Sequence, residues 1–256
     1  MRYFLELSYK GTSYHGWQRQ PNAGSVQQVL EEALAVLLGN EIQIIGAGRT
    51  DTGVHARQMF AHFDADIPPE QSNELIFRLN RFLPPSIAVY GIHAVSADAH
   101  ARFDAISRSY AYHLTTQKNP FNNEQAYFYN APLDIDTMNA AAAMLLEHTN
   151  FKCFSRSKTD VKTFDCNVTE AFWEHRQSEL IFHITANRFL RNMVRAIVGT
   201  LLDVGTGKRS LSDFQAALDS QDRKQAGSSA PAHGLFLTEI RYPNTIFGAD
   251  GKENFK

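Results

Sequence analysis

The sequence predicts an α+β protein in which one order of elements, β-α-β-β-α-β, occurs twice along the chain. In the first half, residues 2–9 alternate apolar and polar side chains as a strand does, and residues 25–39 have the apolar spacing of a helix. Two short apolar runs follow, and then a helix near 70–82 and a strand at 86–95. These elements complete the first set.

The predicted helix at 25–39 has boundary signals at both ends. Ser25 is suited to the N-cap, with Gln28 three residues later, and Gly39 is suited to the position after the last turn. Apolar residues between these two ends keep to one helical face. The sequence therefore predicts that residues 25–39 form a helix, and it predicts where that helix begins and ends.

The second half repeats the order, with longer connections. Its predicted strands are 108–116, 166–175, 179–186 and 233–242. Its predicted helices are 134–148, beginning at Asp134 or Asp136, then 189–204, and an additional short one at 211–219.

The repeated order is that of the ferredoxin-like unit, an antiparallel sheet with helices on one face. We therefore expect two ferredoxin-like halves that share an antiparallel sheet, with an active-site cleft between them. The predicted halves are 1–100 and 101–256, with the connection between Ser96 and Ser107. The two halves share a pattern and no sequence identity.

Composition limits the class of protein and its surroundings. The chain has 256 residues, of which 43% are hydrophobic, and it contains no apolar run long enough to span a bilayer. Its N-terminus does not read as a signal peptide, and two cysteines predict no disulfide framework, so we expect a cytoplasmic protein with no membrane partner. The net charge of −2 argues against a nucleic-acid partner, but arginine outnumbers lysine and favours local phosphate recognition.

The most unusual stretch is the loop at 46–56, which combines three glycines with Arg49, Asp51 and His55. It matches neither a Walker loop nor a dinucleotide fingerprint. Asp51 is either a turn-capping carboxylate or a catalytic carboxylate kept ionised by a neighbouring cation. His55 is more consistent with a hydrogen-bonding role than with a metal ligand, since the other histidines do not complete a metal-site spacing.

Two stretches in the second half carry arginine beside aromatic or apolar residues. Arg108, Tyr110 and Tyr112 share one face of a predicted strand, which suits phosphate binding and base stacking but also an ordinary sheet. On the predicted helix at 189–204 and just before it, basic residues recur on one face. They are Arg188, Arg191 and Arg195, and they form either a solvated stripe or buried arginines that need an anionic partner.

A third basic group follows in a polar loop. Arg156, Lys158 and Lys162 lie close together in the sequence after an aromatic residue. Such a loop is suited to holding RNA phosphates, but it is equally typical of plain protein surface.

Together these stretches resemble the tRNA pseudouridine synthase A family over nearly the whole chain. The most specific motif is the run Gly-Arg-Thr-Asp-x-Gly-Val-His-Ala, which residues 48–56 match in full. The other matching segments are Tyr9–Thr12, Gly16–Gln18, Ser25–Gln27, the strand Arg108–Tyr112, Asn192–Arg195 and Ala230–Leu235.

The resemblance implies a definite activity. Members isomerise uridine to pseudouridine in the anticodon stem-loop of tRNA, at tRNA positions 38, 39 and 40. They use no cofactor and no metal, and they work as homodimers with tRNA spanning both subunits. Two ferredoxin-like halves are also what the resemblance implies for the fold.

The resemblance also assigns roles to individual residues. Asp51 would be the catalytic aspartate, and Arg195 would pair with it and keep it ionised. Tyr110 would stack on the target base and take part in removing the proton from its carbon 5. Arg49 would fill the space that the flipped uridine leaves. The residues expected to hold the RNA backbone are Arg156, Lys158, Arg188 and Arg191.

Two other functions remain open at this point. One is an RNA-binding protein that kept the fold and lost catalysis, since ferredoxin-like sheets commonly bind RNA. The other is an aspartate-nucleophile hydrolase of phosphate esters, which would need a magnesium site, although no second carboxylate is near Asp51 in the sequence.

Overall fold

The computed structural model of the chain describes residues 1–156, 161–176 and 178–247. These residues form a mixed α/β structure with mostly antiparallel strands, which confirms the α+β class. The strands are β1 Arg2–Tyr9, β2 Ile45–Gly46, β3 His55–Asp64, β4 Ile87–Val95, β5 Ser107–Thr115, β6 Tyr127–Phe128, β7 Val168–Arg176, β8 Glu179–Ala186 and β9 Leu235–Arg241. The α-helices within the described residues are α1 Val26–Leu38, α2 Ser72–Phe82, α3 Ile135–Met144, α4 Met193–Gly205 and α5 Leu211–Ser220. In the described part of the chain, every helix is too short or too polar to cross a bilayer.

The chain divides into two compact units. The first comprises Met1–Ile106 together with the described residues from Leu237 onward, and the second is Ser107–Phe236. Each unit contains helices and strands of its own.

In the first unit, β1 lies between β3 and β4 and is antiparallel to both. The short strand β2 also pairs with β3, at Ile45 and Gly46. The helix α1 has the predicted ends: the Ser25 hydroxyl accepts a hydrogen bond from the Gln28 amide at 3.3 Å, and Gly39 has a φ of 77°. The left-handed conformation at that position explains why glycine is there.

Aromatic residues cover the side of β1 that carries Phe4. The Phe4 ring contacts Phe60 on β3 and also Tyr242 and Phe247, which follow β9. Phe247 also lies 5.4 Å from the ring of His93, measured between ring centroids. The segment after β9 is therefore held on the first unit by ring contacts, which bury apolar area on this side of the strands.

His62 on β3 is buried in this unit, with 4% of its surface exposed. Its Nδ1 accepts a hydrogen bond from the Ala101 amide at 3.1 Å, so the neutral ring is the form that fits the site. Burial lowers the His62 pKa to about 4, and the charges of His100 and Arg2 add to this effect. Two carboxylates, Asp64 and Asp104, oppose it.

Mild acid is expected to destabilise the first unit through His62. Because folding lowers this pKa from 6.5 to about 4, the unfolded chain binds more protons between those values. The contribution of His62 is therefore complete above about pH 6.5 and is lost as the pH falls towards 4. Between pH 7 and pH 5 it should cost about 2 kcal/mol of unfolding free energy.

Urea unfolding at both pH values measures this effect. The His62→Gln variant should lose less stability on acidification than the unsubstituted chain, whereas His175→Gln, at an exposed position, should lose as much. If all three proteins lost the same unfolding free energy on acidification, protonation of His62 would not be the cause of the loss.

In the second unit, β8 lies between β5 and β7 and is antiparallel to both. Tyr110 on β5 is opposite Ile184, and Tyr112 is opposite Phe182. The short strand β6 pairs parallel with β5, which the sequence pattern did not predict. The helices α3 and α5 begin at the caps Asp134 and Ser210.

The helix α4 begins at Met193, four residues later than predicted. The residue before it, Asn192, has a φ of 65°, a left-handed conformation that cannot continue a helix. Arg188 and Arg191 consequently lie in the loop that precedes the helix. The prediction that they share a helical face with Arg195 is therefore wrong.

Candidate active site

Asp51 lies in the loop between β2 and β3, and this loop is fixed to the segment after β1. The Trp17 amide donates to the Thr50 carbonyl at 3.2 Å, and the Gly53 amide donates to the Tyr14 carbonyl at 3.3 Å. Within the loop, the Val54 amide donates to the Asp51 carbonyl at 3.1 Å. The Asp51 backbone is therefore held on both sides, and the residue itself is half-buried.

Side chains from two strands add to this support. The hydroxyl groups of Tyr9 and Thr50 are 2.9 Å apart and share a hydrogen bond. His55 is 1% exposed, and its Nδ1 accepts a hydrogen bond from the Gly11 amide at 3.0 Å. This is the hydrogen-bonding role predicted for His55. Among the described residues, no group of three potential ligands from histidine, cysteine, aspartate or glutamate is placed to hold a metal ion.

Gly16 allows the segment after β1 to approach the loop that carries Asp51. Its φ is 91°, and a Cβ atom there would lie 2.5 Å from the Thr50 carbonyl oxygen. Both the left-handed backbone and the backbone contact exclude a larger side chain. Gly16 therefore determines how closely the Asp51 loop packs.

Substituting alanine for Gly16 is expected to displace the Asp51 loop. The strained φ and the contact with Thr50 together should lower the unfolding free energy by about 3 kcal/mol, and turnover should fall with it. Gly24→Ala is the matched control, since a Cβ atom there meets nothing within 4 Å. Thermal unfolding and an activity assay on both variants check this, and equal behaviour of the two would contradict it.

A polar network on α1 holds the neighbouring residues 17–19. The Gln27 side-chain oxygen accepts from the Arg19 amide at 3.0 Å and from the Gln18 side chain at 2.8 Å. The Glu31 carboxylate, 7% exposed, accepts from the Arg19 guanidinium at 3.0 Å. Sequence reasoning missed Glu31, because a glutamate in an amphipathic helix gives no sign of burial.

In the second unit, Tyr110 is half-buried on β5, and its ring meets the Phe189 ring edge to face at 5.0 Å. Arg108, two residues earlier, donates to the Asn187 carbonyl at 2.9 Å. Tyr112 is fully buried, and its hydroxyl donates to the Pro231 carbonyl at 2.8 Å. Of the two tyrosines, only Tyr110 is accessible enough to stack on a base.

Arg195 projects from the first turn of α4. Its Nε donates to the Ala230 carbonyl at 2.7 Å. Ala230 adjoins Pro231, which accepts the Tyr112 hydroxyl. Strand β5 and helix α4 therefore both make hydrogen bonds to residues 230–231, and this segment links the elements that carry Tyr110 and Arg195.

The remaining basic residues predicted to contact substrate lie near the surface. Arg49 and Arg191 are exposed, and Arg188 is half-buried. Arg156 is exposed, and its amide donates to the Arg191 carbonyl at 3.0 Å, so these two residues are neighbours. Lys158 lies outside the described residues.

The two cysteines are poor nucleophiles. Burial raises the pKa of the Cys153 thiol to about 12 and that of Cys166 to about 11. Neither thiol is appreciably ionised near neutral pH, so neither is suited to act as a nucleophile.

Comparison with known proteins decides the family. A family model described as tRNA pseudouridine synthase matches residues 7–104 and 141–243. The chain belongs to the tRNA pseudouridine synthase family. The part that matches this family includes Arg49, Asp51 and Arg195, whereas Tyr110 lies between the two matched ranges.

Individual members of the tRNA pseudouridine synthase family are similar over their full length. A relative from Porphyromonas gingivalis is 52% identical over 251 residues, covering 96% of this chain and 99% of its own. One from Bacteroides thetaiotaomicron is 49% identical over 256 residues, covering 99% and 95%. One from Bacillus subtilis is 39% identical over 250 residues, covering 95% and 100%. Each is named tRNA pseudouridine synthase A, which confirms the resemblance found in the motifs.

Proposed function

We propose that this protein isomerises uridine to pseudouridine at positions 38, 39 and 40 in the anticodon stem-loop of tRNA. The observation that carries the proposal is the complete match of residues 48–56 to the family motif, in a chain that belongs to the family along most of its length. Asp51 within that motif is the proposed catalytic carboxylate.

A carboxylate suits this reaction because the bond from ribose carbon 1′ to ring nitrogen must break and re-form at carbon 5. Asp51 either attacks carbon 1′ and forms an ester, or removes the carbon 2′ proton and leaves a glycal. In both routes the released uracil turns and bonds to carbon 1′ through carbon 5; this bond displaces Asp51 from the ester, or forms as the proton returns from Asp51 to carbon 2′ of the glycal. Carbon 5 then gives up its proton to a base and ring nitrogen 1 gains one, so that no net proton is consumed. Asp51 is regenerated and no oxidant or reductant is consumed, as an isomerisation requires.

Three further side chains complete the proposed site. Tyr110 stacks on the target base and assists removal of the carbon 5 proton, which its half-exposed position on β5 supports. Arg195 pairs with Asp51 and keeps it ionised. Arg49 occupies the place of the flipped uridine, since a base in a stem must leave its stack to react.

The RNA backbone is proposed to bind the basic residues around α4. Arg156 and Arg191 are exposed and adjacent, which supports this assignment, and Arg188 and Lys158 complete the proposed set. Binding through phosphates would make tRNA affinity fall steeply as salt rises.

We also propose the finer architecture that the resemblance implies, two ferredoxin-like halves. The bounds expected from the sequence, 1–100 and 101–256, differ from those of the compact units, in which residues 101–106 and the described residues from Leu237 onward group with the first. The order β4-β1-β3, with β2 paired to β3, supports the ferredoxin-like architecture for the first half. The protein is further proposed to act in the cytoplasm as a homodimer, with tRNA spanning both subunits. Light scattering after size exclusion tests the dimer, which predicts twice the chain mass of 28.8 kDa.

Mapping the product tests the proposed activity. Unmodified tRNA transcripts with a single uridine at position 38, 39 or 40 are incubated with protein, and pseudouridine is located by reverse-transcription stops after carbodiimide treatment. We expect product at these positions and none in a transcript with cytidine at all three. Binding without product would favour the RNA-binding alternative. Product from a phosphate ester, lost on chelation, would favour the hydrolase.

A further inference from the structure

Residues 226–231, which we call the α4-docking segment, lie along the helix that carries Arg195. Two hydrogen bonds join Arg195 and Ala230 in opposite directions. The Ala230 amide donates to the Arg195 carbonyl at 2.9 Å, and the Arg195 Nε donates to the Ala230 carbonyl at 2.7 Å. The direction of the Arg195 side chain therefore depends on where the segment places the Ala230 carbonyl.

The segment contacts the helix backbone directly. A Cβ atom on Gly199 would overlap the Ser228 carbonyl oxygen. One turn away from Ala196, the Thr200 hydroxyl donates to the Ala196 carbonyl at 2.7 Å and accepts from the Gly227 amide at 2.9 Å. The segment is thus seated on α4 along its length.

The segment is also held by the guanidinium of Arg223. One terminal nitrogen donates to the Gly227 carbonyl at 2.9 Å and to the Ala226 carbonyl at 3.4 Å. The other donates at 3.0 Å to the Ser229 hydroxyl, which also accepts from the Asn192 side chain at 2.6 Å. A single planar group therefore bonds to three successive parts of the segment, which an ammonium group cannot reproduce.

We infer that Arg223 is a positioning residue that orients Arg195 through the α4-docking segment. The inference rests on the proposed function in one respect, because it concerns the arginine assigned there to keep Asp51 ionised. It adds a residue that the motifs did not point to. Arg223 stabilises the place of Ala230, and Ala230 in turn fixes the Nε of Arg195.

The Nε–H signal of Arg195 tests the geometry without requiring activity. In nitrogen-15 spectra of the full chain, assigned by its loss in Arg195→Lys, this proton should exchange slowly with water. We expect Arg223→Lys to speed exchange by roughly tenfold, because the segment is then held by fewer bonds. Arg209→Lys is the matched control, since Arg209 donates at 2.7 Å to Gln225, just outside the segment. Equal exchange in the unsubstituted chain and Arg223→Lys would overturn the inference.

Kinetics on tRNA give the second readout. Arg223→Lys should lower kcat by roughly tenfold, since small displacements of a reacting group are costly, while KM changes by less than about twofold. In a chain that already carries Arg195→Lys, adding Arg223→Lys should lower kcat little further, because the guanidinium that Arg223 positions is absent. An equal loss in both backgrounds would show a merely structural role and overturn the inference.

Ser229→Ala provides a variant that keeps Arg223 and removes one acceptor. Once thermal unfolding shows that the variant is folded, Ser229→Ala should speed exchange of the Arg195 Nε–H and lower kcat. Both changes should be smaller than those in Arg223→Lys. No change in either readout with Ser229→Ala, together with unfolding of Arg223→Lys, would contradict the inference. Absence of activity in the unsubstituted chain with the expected exchange rates would count against the proposed function alone.

Discussion

Asp51→Asn is expected to abolish pseudouridine formation while the protein remains folded. The substitution keeps the size and the backbone bonds of the loop but removes the ionised carboxylate that would attack carbon 1′ or remove a proton from the ribose. Single-turnover rates should fall by roughly four orders of magnitude or more, as for other groups that form or break bonds. Affinity for tRNA, measured by filter binding, should change by less than about twofold, because phosphate contacts dominate it.

The control for this variant is Asp66→Asn, which removes the same charge from an exposed position in the same unit. It should turn over tRNA at the rate of the unsubstituted chain. If Asp51→Asn retained a tenth or more of the activity, Asp51 would not be the catalytic carboxylate, and the interpretation of it as a turn-capping residue would regain the advantage.

Tyr110→Phe is expected to bind tRNA normally and to react slowly. The phenyl ring keeps the edge-to-face contact with Phe189 and the surface for stacking on a base, so binding should persist. The lost hydroxyl removes the proposed help in taking the proton from carbon 5. The rate should therefore fall by roughly a hundredfold or more.

Rapid-quench measurements separate the steps of this reaction. If Tyr110 acts only after the uracil has turned, an intermediate joined through carbon 5 should accumulate in Tyr110→Phe. Tyr90→Phe is the control, since Tyr90 is exposed and lies in the first unit, where its hydroxyl shares a hydrogen bond with Ser8. Normal turnover by Tyr110→Phe would remove the tyrosine hydroxyl from the mechanism.

Local signals were sufficient for much of the fold. Ser25 and Gly39 mark the ends of α1 because caps act on residues within one turn. The start of α4 was predicted too early, since periodicity continued through Asn192 while its left-handed backbone stopped the helix. The two-residue strand β6 carries no pattern at all, so only its parallel pairing with β5 reveals it.

In the candidate site, too, the sequence indicated residues with local signals but not the distant residues that hold them in place. Asp51 stands out because glycine and charge are concentrated in its loop. The groups that hold this loop come from elsewhere in the chain, and Tyr9 meets Thr50 across 41 positions. Likewise, Arg223 is 28 positions from Arg195, and the segment that joins them is held mainly through backbone carbonyls, which no side-chain pattern encodes. Packing between distant segments is therefore what the sequence alone did not supply.

Release of tritium from carbon 5 shows whether the protein isomerises uridine in tRNA and whether it needs Asp51 to do so. Transcribed tRNA labelled with tritium at carbon 5 of uridine is incubated without any added cofactor, using the unsubstituted chain beside Asp51→Asn. We expect the unsubstituted chain to release tritium into water and the variant to release none. Equal release by both proteins, or no release by the well-folded unsubstituted chain from a tRNA with uridine at positions 38 to 40, would contradict this expectation.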